Sequence, residues 1–486
     1  MPVYAAVDLG GTSCRVVTTK FADDGPLLTP IRRFPTPVER VEGTLTWSFD
    51  TIMRETILGL EQAAETTALA SIGIDAWGLD YGLLDATGRV LMPLHAYRSD
   101  RTLGVPEAAV AAIGRERMYG ITGVPVSRFS TICQLVAEKH TTRYADAARL
   151  LMLPDLVANR LCGSTVNGLT SASTTGLLDV RTREWSDELV AAADLRRDLL
   201  PELRKPGVPL GGMLETASPA LAGVPVTGVA SHDTACAAAA APLAPDDGLI
   251  SLGTWACMGR EAHAPLTSPA ALALGISNEL GFQDTVMVLR NGVGMWLLEE
   301  CRRAWKADGL DTDFDRLAAA ARSEPPGRAV VDPDAFADVS PLPMPARIVE
   351  RCRATGQFVP CSPGQITRVV LDSLALSFRR GLAAVAEATG TPLQRVHLIG
   401  GGSRNDLLAE LTASACGLPV LCGEPEATAV GNALVQAIVA GQFADLAEAR
   451  AMMARTRPPR RVDPTPTADW PELEMRIARD AHAASA

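Results

Sequence analysis

The sequence lacks the features of a membrane-spanning or nucleic-acid-binding protein. Its apolar stretches, including the alanine-rich 235–242, fall far short of the about 20 residues that span a bilayer. The net charge of −11 at pH 7 argues against nucleic acid or an anionic membrane surface as a partner. A small anionic ligand would therefore have to be attracted by a local site together with a metal.

Cysteine and histidine spacings typical of metal sites are also missing. No C-x-x-C pair occurs among the ten cysteines, so neither a zinc site nor a disulfide framework is indicated, and reduced thiols in the cytoplasm are the simplest interpretation. The chain runs from Met-Pro-Val-Tyr directly into an apolar strand, and we expect no secretory signal. A G-x-S-x-G elbow, a P-loop and the protein-kinase motifs are all absent.

The most informative segment is VDLGGTSCRVV at residues 7–17. Asp8 ends a run with strand character, so its carboxylate should emerge at a strand tip, where a hydrated divalent cation could bind. Gly10 and Gly11 allow backbone N–H groups to approach an anion. Hydroxyl and guanidinium donors follow at Thr12, Ser13 and Arg15. The alternative is an ordinary Gly-Gly hairpin without a ligand.

The length of 486 residues predicts about two large domains. The hydrophobic patterns predict strands and hairpins to about residue 50, followed by an amphipathic helix near 50–66. A strand at 71–75 and a hairpin of 79–84 and 90–93 come next, and helices are predicted over 105–162. An irregular region is predicted at 196–228, before a strand at 224–230.

A cluster of Pro, Asp and Gly at 241–248 predicts a domain boundary. The new strand beginning at Leu249 leads into a Gly-Thr turn and a second strand, which repeats the opening plan of the chain. We therefore predict an N-terminal domain at 1–245 and a C-terminal domain at 246–457. The segment 458–486 is predicted to be a Pro- and Arg-rich linker followed by a surface helix.

Asp233 follows a strand and precedes a helix-favouring alanine run in the segment VASHDTACA at 229–237. Either Ser231 or Asp233 could simply cap that helix. Alternatively, Asp233 could accept a proton from a hydroxyl that attacks a phosphoryl group. His232 has the same two interpretations, as a structural residue or as part of a site.

A glycine-rich loop, Gly400 to Gly402, connects a strand to a polar helix start. Such a loop lets the backbone approach a flat or anionic ligand. A plain strand-to-helix turn is the first alternative. A dinucleotide fingerprint is the second, although the G-x-G-x-x-G spacing is missing.

Ten motifs in order resemble those of the FGGY carbohydrate kinases, from about residue 3 to 450. They are VDLGGTSCRVV at 7, GIDAWGLDYGLLD at 73, AYRSDRT at 96, LMLPDLVANRLCG at 151, VASHDTACA at 229, SLGTWACMG at 251, NGVGMWLLEE at 291, LDSLALSFR at 371, GGGSRN at 400 and EATAVGNAL at 426. The resemblance implies a two-lobed α/β ATPase fold of the actin and hexokinase type, with a ribonuclease H-like motif in each lobe and a central cleft.

The resemblance also implies roles for individual residues. Asp233 would be the catalytic base, and Asp8 would position Mg²⁺ through water. ATP would be bound by Gly11, Thr12, Ser13, Cys14, Arg15, Thr254, Glu299, Gly401 and Gly402. The sugar would be bound by Gly78, His232, Asp233, Thr234 and Asn291.

The implied reaction is transfer of the γ-phosphoryl group of Mg-ATP to a small ketose, and the motifs are most similar to those of members that act on L-rhamnulose at O1. L-fuculose, a pentulose or a polyol are alternatives, as are a non-catalytic actin-like sensor and, more distantly, a dinucleotide oxidoreductase. The sequence departs from the family pattern at three places. Glu299 stands in place of Gln and could repel phosphate or contact ribose. The other two departures are Asn-Glu-Leu-Gly at 278–281 and Tyr-Arg-Ser-Asp-Arg at 97–101.

Overall fold

The computed structural model describes residues 1–336 and 342–485, which form two compact units from interleaved segments. Unit 1 comprises Met1–Pro242, Glu261–Val288 and Glu426–Pro458. Unit 2 comprises the described residues of Leu243–Arg260, Leu289–Pro425 and Pro459–Ala486.

Strands occur in both units. In chain order they are β1 Tyr4–Leu9, β2 Ser13–Ala22, β3 Gly25–Pro35, β4 Val38–Val41, β5 Thr44–Trp47, β6 Ser71–Ala76, β7 Tyr81–Leu84, β8 Val90–Leu91, β9 Leu94–His95, β10 Arg149–Met152, β11 Asn167–Gly168, β12 Leu178–Asp179, β13 Glu184–Trp185, β14 Leu203–Arg204, β15 Val208–Gly212, β16 Pro225–Gly228, β17 Asp247–Leu252, β18 Trp255–Ala262, β19 Ser277–Leu280, β20 Val286–Val293, β21 Arg395–Ile399, β22 Val420–Cys422 and β23 Arg460–Val462.

Helices alternate with these strands. In chain order they are α1 Phe49–Thr66, α2 Val105–Ala111, α3 Arg115–Thr122, α4 Thr131–Glu138, α5 Thr142–Asp146, α6 Leu153–Cys162, α7 Leu169–Ala172, α8 Asp187–Ala192, α9 Asp233–Ala240, α10 Pro269–Ala273, α11 Trp296–Ala307, α12 Phe314–Arg322, α13 Met344–Ala354, α14 Pro363–Thr389, α15 Asp406–Cys416, α16 Ala427–Val439, α17 Leu446–Thr456 and α18 Trp470–Ser485.

Unit 1 contains a six-stranded sheet with the order β15-β16-β6-β1-β2-β3. The central strands β1 and β6 consist of small and apolar residues apart from one aspartate each, and every residue in both is buried. Strands covered on both faces are expected at the centre of a sheet. β1 runs antiparallel to β2 and parallel to β6, and this register places Asp8 opposite both Arg15 and Asp75.

Unit 2 repeats this topology. β17 runs antiparallel to β18 and parallel to β21, β22 runs parallel to β21, and β23 is antiparallel to β22. The order β18-β17-β21-β22-β23 therefore matches β2-β1-β6-β16-β15 in unit 1. The repeated strand, turn and strand plan seen in the sequence is thus present in both units.

The sequence predicted most elements, and several segments differ. The region 196–228, predicted to be irregular, contains β14 and β15, and β15 pairs with β16 at the edge of the sheet in unit 1. The region 105–162, predicted to be helical, also contains β10. Leu79 has a φ of +78°, a left-handed conformation that cannot continue a strand, so the hairpin begins only at Tyr81.

The segment 458–486 was predicted to be a linker and a surface helix. The predicted helix is present as α18, and one of its faces buries Trp470, Leu473 and Ile477 in the core of unit 2. The predicted linker differs, because it contains β23, which extends the sheet of that unit.

Within the described ranges, no helix combines the length and hydropathy needed to cross a bilayer. All ten cysteines are free thiols.

We expect Gly431→Ala to destabilise the protein by roughly 1–3 kcal/mol, the range for overpacking a dense interior. Helices α9 and α16 pack closely, and a methyl group at Gly431 would overlap the backbone carbonyl oxygen of Cys236. Urea unfolding measures the change. The matched control is Gly120→Ala in α3, where nothing lies within 4 Å of the added Cβ. Equal stability of the two variants would contradict the expectation.

Candidate active site

The hairpin of β1 and β2 places a buried carboxylate beside a guanidinium. Asp8 is 2% exposed, and its Oδ2 accepts from Arg15 Nε at 2.8 Å and contacts Arg15 Nη2 at 2.7 Å. Arg15 Nη1 reaches Glu426 Oε2 at 2.5 Å. A guanidinium shared by two carboxylates is fixed in orientation. Arg15 would therefore bind a phosphate from a fixed position within this cluster, and its side chain would not move freely.

The turn between these strands carries the predicted phosphate donors. The backbone carbonyl of Thr12 accepts from Thr36 N at 3.1 Å, and Ser13 Oγ accepts from Arg33 Nη2 at 3.2 Å. Cys14 faces inward, where burial raises the pKa of its thiol to about 12. The Cys14 side chain is thus packed in the interior, and only its backbone would be available to a nucleotide.

Asp75 is a site residue that the sequence reasoning missed. It lies opposite Asp8 on the neighbouring parallel strand and is fully buried. Its Oδ2 accepts from Asn432 Nδ2 at 2.6 Å, and Asn432 Oδ1 in turn accepts from Gln436 Nε2 at 2.7 Å. Burial, followed by the charge of Asp8, raises the pKa of Asp75 well above its ordinary value. The available signal was the same as for Asp8, an acid at the end of an apolar strand.

Asp233 is the first residue of α9, and its side chain is 30% exposed. Its Oδ1 accepts from its neighbour Thr234, at 2.6 Å from the backbone N–H and 3.3 Å from Oγ1. His232 Nε2 lies 3.3 Å from the same oxygen. Burial raises the pKa of Asp233, His232 lowers it and the charge of Asp8 raises it. The carboxylate is therefore accessible and lies within the field of Asp8.

The capping interpretation of this segment fits Asp233 in part, because its Oδ1 accepts from the backbone N–H of Thr234 in the first turn of α9, but it does not fit Ser231. The cap position of α9 is His232, whose side chain makes no capping hydrogen bond. Ser231 Oγ is instead hydrogen-bonded to the hydroxyls of Thr170 at 3.1 Å and Ser171 at 2.9 Å. These contacts fix the loop before α9.

Backbone contacts bring three acids to one edge of the sheet in unit 1. Ala76 pairs with His232 and donates its N–H to Ser231 O at 3.0 Å, and Trp77 N donates to Leu9 O at 3.2 Å. The carboxyl ends of β1 and β6 and the start of α9 are therefore neighbours. The acids that they carry are Asp8, Asp75 and Asp233.

Gly78 lies beside a buried aromatic cluster. A side chain at Gly78 would place its Cβ 2.9 Å from Thr174 Oγ1, so this close approach requires glycine. Asp80, two residues further along the chain, accepts at Oδ2 from the indole N–H groups of Trp47 at 2.6 Å and Trp77 at 2.8 Å. The two indole rings lie 4.8 Å apart. Burial raises the pKa of Asp80 to about 6.

The remaining predicted residues belong to unit 2. Thr254 lies in the turn between β17 and β18, where its carbonyl accepts from Gly294 N at 3.1 Å and Trp296 N at 3.2 Å. The glycine loop follows β21, and a Cβ at Gly402 would overlap the Leu252 side chain, whereas Gly401 faces open space. Asn291 lies on β20 and is exposed.

Glu299 is on α11, where both of its carboxylate oxygens lie 2.9 Å from Arg302 Nη1. The Arg302 guanidinium also lies over the ring of Phe314, 3.6 Å from its centroid. The acid that replaces Gln at this position therefore carries its own counter-charge. Its repulsion of a nearby phosphate would be reduced accordingly.

We expect Asp80→Asn to remove a pH-dependent loss of stability. The folded-state pKa of about 6 exceeds the about 3.9 of an unfolded aspartate, so the stability contribution is fully present below pH about 4 and is lost as pH rises through 6. The loss is on the order of 3 kcal/mol. Urea unfolding between pH 4 and 7, followed by indole fluorescence, measures it.

The matched control for this experiment is Asp50→Asn, which removes an exposed acid in the first turn of α1. It should keep the wild-type pH dependence. An Asp80→Asn variant whose stability follows the wild-type curve across this range would show that the Asp80 carboxylate does not titrate there.

Comparisons with known proteins cover nearly the whole chain. Models of the FGGY family of carbohydrate kinases match residues 3–240 as the N-terminal domain and 248–440 as the C-terminal domain. A rhamnulokinase of Bacteroides thetaiotaomicron is 38% identical over 473 residues, which are 96% of this chain and 97% of that protein. A rhamnulokinase of Pectobacterium atrosepticum is 37% identical over 472 residues, 96% of this chain and 94% of that protein.

Solved structures share the fold at lower identity. A ligand-bound xylulose kinase from Lactobacillus acidophilus superposes with a TM-score of 0.81 at 16% identity, covering 100% of this chain and 99% of that one. A xylulose kinase from Rhodospirillum rubrum gives 0.78 at 19% identity, covering 99% and 98%. With its two-domain α/β fold and both family domains present, the chain belongs to the FGGY family of carbohydrate kinases.

Proposed function

We propose that this carbohydrate kinase transfers the γ-phosphoryl group of ATP to O1 of L-rhamnulose, giving L-rhamnulose 1-phosphate and ADP. The family implies a sugar and ATP as substrates. The sugar is proposed from the relatives named rhamnulokinase, which match 96% of the chain. The reaction type is supported by one observation above all, the accessible carboxylate of Asp233 beside His232.

Asp233 is proposed to be the general base. It would accept the proton of the sugar hydroxyl as the oxygen forms a bond to the γ-phosphorus and the bond from that phosphorus to the leaving oxygen of ADP breaks. The raised pKa of Asp233 favours this role, because a more basic carboxylate accepts a proton more readily. At neutral pH the carboxylate must still be ionised for the reaction to begin.

The phosphates are proposed to bind at the first hairpin. Gly11, Thr12 and Ser13 would contribute backbone N–H and hydroxyl donors, Cys14 its backbone, and Arg15 its charge. Unit 2 would contribute Thr254 to the phosphates and Gly401 and Gly402 to the adenosine. Glu299, already neutralised by Arg302, is proposed to contact ribose.

Mg²⁺ would accompany ATP, and Asp8 fits a contact through water. Carboxylate oxygens suit this ion, but Asp8 Oδ2 is bonded to Arg15, which disfavours direct ligation. Among the described residues, no three His, Cys, Asp or Glu side chains form a group that could bind a metal directly. Asp75 Oδ1 is buried without a hydrogen-bond partner there and could accept from a water next to the ion. The ion would neutralise phosphate charge.

The sugar is proposed to contact Gly78, His232, Asp233, Thr234 and Asn291. The aromatic cluster of Trp47 and Trp77 adjoins Gly78 and would provide an apolar wall beside the polar donors. The reaction is proposed to occur in the cytoplasm, where free thiols stay reduced. The domain division at 245 and 457 remains a prediction.

Sugar-dependent ADP production with a panel of ketoses and polyols tests the proposal. We expect the highest kcat/KM with L-rhamnulose, and a 1-phosphate product by phosphorus NMR. A higher kcat/KM with L-fuculose, a pentulose or a polyol would reassign the substrate within the family. Nucleotide and sugar binding without any turnover would instead favour the sensor alternative.

Asp233→Asn should retain ATP affinity and lose sugar-dependent turnover by roughly 10²–10⁴-fold, the usual contribution of a general base. The substitution preserves the shape of the side chain and removes its ability to take a proton. Calorimetric ATP binding and coupled ADP assays measure the two effects. Asp50→Asn, on the exposed surface of α1, is the matched control. Turnover of Asp233→Asn within a few-fold of the parent would refute the assignment.

The pH profile of kcat/KM should fall on the acidic side with an apparent pKa above the about 3.9 of an ordinary aspartate. Burial and the neighbouring Asp8 both raise the pKa of Asp233, so the base becomes protonated at a higher pH than usual. Rates between pH 4 and 8 in constant ionic strength measure this limb. A limb at or below pH 3.9 would contradict the expectation.

A further inference from the structure

One buried acid outside the proposed site contacts a residue within it. Glu279 lies on β19, a strand whose residues are all buried, and its side chain is 7% exposed. Its Oε2 lies 3.3 Å from His232 Nδ1. The other imidazole nitrogen, Nε2, lies 3.3 Å from Asp233 Oδ1. The imidazole of His232 therefore lies between two carboxylates.

The position of Glu279 is fixed from its own strand. Ser277 Oγ donates to Glu279 Oε1 at 3.2 Å, and the backbone N–H of Leu280 donates to Ser173 Oγ at 3.0 Å. Asn278 donates its Nδ2 to Gly123 O at 2.8 Å. These bonds on both sides of Glu279 leave little freedom for its carboxylate to move away from His232.

A neutral imidazole has one N–H group and can donate to only one of its two carboxylate neighbours. At 3.3 Å the contact between His232 Nδ1 and Glu279 Oε2 falls outside hydrogen-bond geometry, so Glu279 acts on the ring through its proximity. Two carboxylates on opposite nitrogens therefore constrain the orientation of the ring. The same arrangement directs an N–H group of His232 at the carboxylate of the proposed base.

We propose that Glu279 is a positioning residue of the phosphoryl transfer, which orients the His232 imidazole so that its Nε2–H is directed at Asp233. This inference rests on the proposed role of Asp233 as base. Glu279 touches neither the reacting hydroxyl nor the phosphate in this role. It acts on the reaction only through His232.

The charges that face Asp233 set the direction of the expected effect. His232 faces it from the same segment, Asp8 from β1 and Asp75 from β6, while Glu279 reaches it through His232. Burial and the charge of Asp8 raise the pKa of Asp233, whereas His232 lowers it. Loss of the Glu279 carboxylate would let the imidazole turn away from Asp233, and because His232 lowers the pKa of Asp233, that pKa should then rise.

The test is a double-mutant cycle of Glu279→Gln and His232→Asn in the full-length protein. Glu279→Gln should lower kcat roughly 10- to 100-fold, by analogy with residues that orient a functional histidine, and leave the KM for the sugar nearly unchanged. It should also move the acidic limb of kcat/KM to higher pH. His232→Asn should move that limb in the same direction. In the His232→Asn background, Glu279→Gln should have no further effect on either quantity.

Three results would overturn the inference. The first is a raised sugar KM of Glu279→Gln with unchanged kcat, which would make Glu279 a direct sugar contact. The second is an effect of Glu279→Gln that is undiminished in the His232→Asn background. The third is wild-type kinetics of Glu279→Gln.

Ser277→Ala, which removes only the hydroxyl that fixes Glu279, should reproduce the Glu279→Gln changes in weaker form. Thermal unfolding of each variant identifies loss of fold, and Ser277→Ala keeps the test valid if Glu279→Gln does not fold. Absence of sugar-dependent turnover in the parent protein would refute the proposed function. If the parent is active and the kinetics of Glu279→Gln equal those of the parent, only the role of Glu279 is refuted.

Discussion

Repulsion among three carboxylates is the constraint on which the proposed site depends. Asp8 and Asp75 face each other across two parallel strands, and Asp233 begins the helix beside them. Burial raises the pKa of Asp75 and of Asp233, the charge of Asp8 raises both further, and each acid here has a different compensating neighbour. Asp8 is paired with the Arg15 guanidinium, and Asp233 lies beside His232. Asp75 accepts from the neutral Asn432 amide, and the charge of Arg15 also lowers its pKa. The environment therefore separates three chemically identical groups into different roles.

This separation explains why one acid can serve as a base while the others cannot. Asp75 has no exposed surface and an amide donor on one oxygen, so it is inaccessible to a sugar hydroxyl. Asp8 is fixed by two bonds to one guanidinium. Asp233 alone combines partial exposure with a raised pKa. Phosphoryl transfer depends mostly on position and charge stabilisation, and a rigid strand edge supplies the position.

Much of the fold could be predicted because its signals are local. Small and apolar runs between turn residues predicted β1, β6, β17 and β21, and the Gly-Thr turns predicted hairpins in both units. The late start of β7 reflects the local conformation of Leu79, whereas the strand in the predicted linker after residue 458 depends on a distant partner. β23 forms because β22 offers an open edge, and α18 is partly buried because unit 2 has an apolar surface to cover. No signal within 458–486 could reveal either partner.

By itself, the sequence determined the family, the two-domain α/β class and the segments that carry chemistry, because glycines, hydroxyls and acids at strand ends are readable within a few residues. Only the tertiary structure decided which acids become neighbours. Asp75 was as visible as Asp8, yet its importance follows from the parallel register of β1 and β6. Glu279 reaches His232 only because β19 returns to the start of α9. Packing determines which residues far apart in the chain become neighbours. Burial and these neighbours then determine the charge that each acid carries.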